Sequence, residues 1–211
     1  MSTERRSLLL GLVILSLVAQ SILPGCARKG EGFDARGLPD APFTVDTALL
    51  GAAQADSLSG LVFRPPADFQ LGDPQKVAQI REMVRAGTKP GNPLANDPRW
   101  IYGVPGKPSM FKIAHFIKPP AGRMNEAWLA QVREAMRAQV APASLAEDRF
   151  RVGKKIAVVR FVVRNESMVL VRALCQAPDH PPAMIDILLP GPDYERLERA
   201  IESTIGTLAP L

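Results

Sequence analysis

The chain has 211 residues, 46% of them hydrophobic, and carries 26 Lys and Arg against 21 Asp and Glu for a formal charge of +5. That length suits one ordinary domain with something attached. Two cysteines exclude a disulfide-dense scaffold, and a basic surplus spread without any Lys/Arg block argues against a nucleic-acid partner. The first predicted element opens at the N-terminus. After Arg5 and Arg6, Leu8 to Leu23 is interrupted only by Gly11, Ser16, Gln20 and Ser21. A basic start, an apolar run and small residues before a cut site make a secretory leader. The run is shorter than the roughly 20 residues of a spanning helix, so a retained single-span anchor is the alternative.

Leu23-Pro24-Gly25-Cys26 closes that leader. The tetrad resembles the lipobox of bacterial lipoproteins, with Pro24 in place of the usual Ala or Ser. The resemblance implies cleavage before Cys26, a diacylglycerol thioether on its sulfur and acylation of its new amine. Two or more buried acyl chains hold stably where one is marginal. The implied partner is therefore a lipid bilayer, reached through acylated Cys26, on the extracytoplasmic side. Ala27 follows the cysteine, not Asp, which favours an outer membrane facing the periplasm if the source has two membranes. Glu4 to Leu10 also looks like a twin-arginine motif, an alternative to general secretory export. Without residues 1–25 the chain keeps 24 basic and 20 acidic residues.

Residues 26–44 are expected to be the lipidated cysteine and a flexible tether, rich in Gly, Pro and charge, and 45–211 a single globular domain. Arg28 and Lys29 would stand beside the head groups. Leu61-Val62-Phe63 predicts a short strand stopped by Pro65-Pro66, and Asp73-Pro74 starts a helix to about Arg85, with Val77, Ile80 and Val84 inward. Residues 88–109 read as a long surface loop. Met110 to Ile117 predicts a strand, and Asn125 caps a helix through Val140 that Pro142 ends. Strands over Lys154–Arg164 and Met168–Gln176 form a hairpin around Asn165-Glu166-Ser167. A further strand covers Ala183–Leu189. The last helix carries Tyr194, Leu197, Ile201, Ile205 and Leu208 as one stripe, which needs a sheet to lie on.

The order strand MFKIAHFI, helix NEAWLAQVREAM, hairpin KIAVVRFVVRNESMVLVRALC and close IDILLPGPDYERLERAIESTIGTL resembles the PsbP-like fold. That family is named for an extrinsic photosystem subunit and includes bacterial lipoproteins. GLVFRPPADF looks like its opening strand, while residues 73–109 depart from the pattern. The resemblance implies an α+β fold, a mostly antiparallel sheet flanked by helices with the C-terminal helix packed on it, and brings no catalytic residues.

Chemistry-bearing residues are few. The two histidines, His115 and His180, lie on a strand and in a Pro-rich turn. Cys175 shares a strand face with Val169 and Val171, the setting of an inert thiol. No GxSxG, HExxH or CxxC is present, so neither a metal nor another cofactor is expected. Two patches are candidate contacts: Trp100 and Tyr102, whose large amphipathic rings suit binding, and Arg160, Arg164 and Arg172 as a basic sheet face. The expected function is a non-catalytic envelope lipoprotein that docks another envelope protein or aids assembly. A small-ligand or wall-polymer binding module is the alternative, and a hydrolase assembled from distant carboxylates comes third.

Overall fold

The structure, a computed structural model, describes residues 33–89, 91–140 and 143–211. Cys26, the leader and residues 26–32 of the expected tether lie outside the described residues, as does Pro142. From Phe33 onward the chain lies against the body, so packing begins earlier than the composition of 27–44 suggests. Asp34 and Asp46 each cap a single 3-10 turn, at Ala35–Gly37 and Thr47–Leu49.

Ten strands follow: β1 (Gln54–Asp56), β2 (Leu61–Phe63), β3 (Gln70–Leu71), β4 (Asn96–Gly103), β5 (Met110–Phe116), β6 (Ser144–Val152), β7 (Ile156–Arg164), β8 (Met168–Gln176), β9 (Ala183–Pro190) and β10 (Ala209–Pro210). Among the described residues three helices interrupt them: α1 (Pro74–Gly87), α2 (Glu126–Val140) and α3 (Gly191–Gly206). Seven strands make one antiparallel sheet in the order β3-β4-β5-β9-β8-β7-β6, and β1-β2-β10 make a smaller one.

Local chemistry accounts for the element ends. Asp73 accepts from the backbone amides of Gln75 and Lys76 with Pro74 in the first turn, satisfying donors that a helix start leaves open. Asn125 does the same for Trp128 at the head of α2. Between β6 and β7, Gly153 and Lys154 both have positive φ, 56° and 63°, the pair of left-handed residues a tight hairpin turn needs. Asn165 Oδ1 accepts from Ser167 and Met168 amides and shapes the β7–β8 turn.

The large sheet is buried on both faces. On one, α3 lays Tyr194, Leu197, Ile201 and Ile205 over Val158, Val171, Ile185 and Ile187, joined by Leu61 and Phe63 of the small sheet. On the other, Trp128, Leu129, Val132 and Met136 of α2 meet Val159, Phe161, Leu174 and Met184. Strands covered on both sides read as continuous apolar runs, which explains why IAVVRFVV and MVLVRALC carry so little alternation.

Residues 88–109 are not a surface loop. Asn96–Gly103 is an inner strand, β4, paired with β5 through a register shift between Pro98 and Trp100. Pro98 cannot donate to the ladder, and the bulge is where the sheet absorbs it. The helix α1 lies along β4 with no fully buried residue. Arg81 forks onto Asp97 at 3.1 Å through two nitrogens, and Arg85 adds a 3.2 Å bond to the same carboxylate.

Each edge of the large sheet is partly guarded. At one end β3 is only two residues long. At the other, Pro39–Ala41 exchanges backbone hydrogen bonds with Arg151 of β6, and Arg151 grips Asp40.

Candidate functional site

Cys26 lies outside the described residues. Trp100 and Tyr102, expected on a loop, stand on β4 and face the small sheet. Phe63 is their common neighbour, with ring centroids 5.9 Å from Trp100 and 6.4 Å from Tyr102, and Phe111 sits 5.5 Å from Tyr102. Burial pushes the Tyr102 hydroxyl up to about 12. These rings weld the two sheets together.

The three arginines divide between the faces. Arg160 sits opposite Ala173, whereas Arg172 sits opposite Phe161, and the pleat turns them to opposite sides. The expected common basic face is therefore corrected. Arg160 lies between the rings of Phe43 and Phe150, 5.4 and 5.6 Å from their centroids, and forks onto Asp148. Arg164 covers Tyr194 at 4.7 Å and remains half-exposed. Arg172 is buried beneath α2, where Nε and Nη2 bond the Asp186 carboxylate at 2.6 and 2.9 Å and Nη1 meets the Met136 sulfur.

Asp186 has a second cation. Lys112 Nζ stands 2.9 Å from Oδ2 and also donates to Asn96 Oδ1. The cross-strand register Lys112–Asp186–Arg172 runs over β5, β9 and β8. Burial by itself would raise the Asp186 pKa, but the two cations outweigh it and hold the carboxyl below its usual range. A carboxylate so fixed is charged, saturated and covered, which suits register better than proton transfer.

A second polar cluster sits where β1 meets β5. Ser59 Oγ donates to Asp56 Oδ2, and His115 Nε2 stands 3.0 Å from the same oxygen without the alignment of a hydrogen bond. The carboxylate is the hub, so the hydroxyl gives its proton to Asp56 and not to an imidazole, the reverse of a nucleophile's arrangement. Burial raises the Asp56 pKa, yet His115 and Ser59 bring it down to about 2 from 3.8. A depressed folded pKa gives stability that is present above 3.8 and lost as pH falls through about 2. Asp56→Asn is accordingly expected to flatten the acid limb of urea-unfolding stability between those values. A limb superimposable on the wild type would show that this carboxyl titrates as an ordinary one.

Cys175 is fully buried and burial pushes its thiol up, keeping it protonated. His180 rests its ring on Gly60, where a Cβ would meet it at 2.4 Å, and its Nδ1 faces the Pro178 carbonyl at 2.8 Å. Among the described residues no three His, Cys, Asp or Glu gather as metal ligands, and no helix is long and apolar enough to cross a membrane.

An apolar groove was not foreseen. Beyond the end of α2 at Val140, Leu170, Leu188 and Met110 form a half-buried cross-strand row on β8, β9 and β5. Val140, Val163 and Met168 extend it, with Arg164, Asn165, Glu166 and Ser167 as a polar rim, in a groove of about 920 Å³. The only signal for it was Met168 and Leu170, apolar on the face of β8 that a single helix had to cover.

Comparison supplies the fold's relatives. No family model matches the chain and no curated protein matches it. Among solved structures, it is similar to the solution structure of cyanobacterial PsbP (CyanoP) from Synechocystis sp. PCC 6803, with a TM-score of 0.50 at 10% identity, covering 80% of this chain and 96% of that one. The fold is PsbP-like. At such identity the likeness concerns architecture alone, and the PsbP-like frame brings no site residues with it.

Proposed function

We propose that the protein is an envelope lipoprotein, anchored through acylated Cys26, whose PsbP-like domain docks another envelope protein without performing chemistry. The observation that carries the docking half is the half-buried Leu170–Leu188 pair in its groove with a polar rim. A centre of apolar side chains inside a polar border is the anatomy of a protein interface. The anchoring half rests on the leader and on Leu23-Pro24-Gly25-Cys26. The buried charged groups support the non-catalytic reading, because both oxygens of Asp186 are held by Arg172 and Lys112, and Asp56 Oδ2 is held by Ser59 and faces His115.

The test is a pull-down from membranes, identified by mass spectrometry, comparing wild type with Cys26→Ser and with Leu170→Asp/Leu188→Asp. Specific envelope proteins should come with the wild type and fall at least about tenfold with the double substitution, the loss expected when an interface centre gains charge. Because the two residues face each other across β8 and β9, the aspartates will lower thermal stability, so Leu170→Ser/Leu188→Ser serves as the milder second variant and both are scored at a temperature where unfolding shows them folded. Undiminished recovery with both aspartates in place would sink the docking reading. A wild-type N-terminal peptide carrying a bare thiol would sink the anchoring one.

A further inference from the structure

At the opposite end of the β6–β7 hairpin from that groove lies Phe33, the first described residue. There Arg36, Arg123, Lys154 and Lys155 line a second groove together with Phe33, Asp34, Gln176 and Pro178. Asp34 is the one acid in it, gripped by Arg36 and 3.8 Å from Arg123. Lys154 and Lys155 are exposed on the turn and, among the described residues, have no carboxylate partner. Four cations thus face one anion. We infer that this end is a bilayer-facing surface for anionic phospholipid head groups, setting the orientation of the anchored domain.

Two observations support this, the first resting on the lipoprotein reading. Only six residues separate Cys26 from Phe33, and the seven steps between them reach at most about 25 Å even when fully extended. The nine residues of β7 alone span about 30 Å, so the short leash favours the end where Phe33 lies. The second is independent of any anchor: charge complementarity, since basic side chains near an anionic leaflet are drawn to it and fade with salt. Lying at the other end of β7, the Leu170–Leu188 groove then points away from the membrane, free to meet a partner.

The experiment takes the acylated chain from membranes, its thioether verified in the N-terminal peptide by mass, into vesicles of phosphatidylcholine alone or mixed with phosphatidylglycerol. A water-soluble amine reagent labels the lysines, with Lys76 on α1 as internal reference. Lys154 and Lys155 should be protected about fivefold relative to Lys76 in the anionic vesicles only, and high salt should remove the protection. Labelling that tracks Lys76 in both vesicle types would overturn the proposal while leaving the anchor intact. If instead the peptide carries a bare thiol, the anchor falls and the surface is read by cosedimentation with the same vesicles. Binding to anionic vesicles that Lys154→Glu/Lys155→Glu weakens about tenfold would sustain it, and equal sedimentation of the two would overturn it.

Discussion

Asp186→Asn will cost about 3–5 kcal/mol of folding stability, or prevent folding outright, because it strands two buried cations. Asp186 is almost wholly buried and serves Arg172 and Lys112, whose side chains are each only 10% exposed. Asparagine can still accept a hydrogen bond but contributes no charge, so both ammonium and guanidinium lose the anion that offset their desolvation. The loss differs in kind from a cavity: replacing the whole trio with apolar residues, Lys112→Met/Asp186→Leu/Arg172→Met, should recover most of it, since such swaps are often neutral. Urea unfolding of the two variants against wild type checks both halves. A drop below about 1 kcal/mol for Asp186→Asn would mean that solvent reaches the trio.

Phe63→Ala is expected to cost about 3–5 kcal/mol, the range for emptying a buried aromatic site. The ring is fully buried and contacts Trp100, Tyr102 and Phe111. It sits on the middle strand of the three-stranded sheet, so its removal opens a void between two sheets that cannot slide together: β2 is pinned by β1, by β10 and by Leu211 donating to Gly60. Near-ultraviolet circular dichroism should lose intensity from the Trp100 and Tyr102 environment while the far-ultraviolet signal persists below the transition. A transition midpoint within error of the wild type would show that the small sheet is dispensable.

Much of the frame was legible because its elements carry local signals. The Asp73 and Asn125 caps, the helical spacing of Trp128, Leu129, Val132 and Met136, and the Asn165 turn each announce themselves within a few residues, and all three helices fall where periodicity puts them. The misses have long-range causes. β4 was hidden by Pro98, whose tolerance depends on a bulge that only its pairing with β5 reveals. β6 reads SLAEDRFRV, too charged for an obvious strand, yet Glu147, Arg149 and Asp148 are neutralised by Arg133, Glu126 and Arg160 from elsewhere in the chain. The candidate contacts fared unevenly for the same reason. Trp100 and Tyr102 look like a binding patch until β4 turns them onto Phe63, and three arginines on neighbouring strands look like one face until the pleat separates Arg172. The Leu170–Leu188 row became visible only when α2 was found to stop short of it.

The partly guarded margins of the large sheet bear on how the protein behaves in a crowd. One border ends in a two-residue strand, and at the other the chain is bonded, among the described residues, only at Arg151, so the rest of β6 is guarded by its charged Glu147, Asp148 and Arg149. Copies confined to a single surface would reach concentrations at which exposed strand borders invite runaway polymerisation. On the proposed anchor, the charged outer border of β6 is where such pairing would have to be resisted.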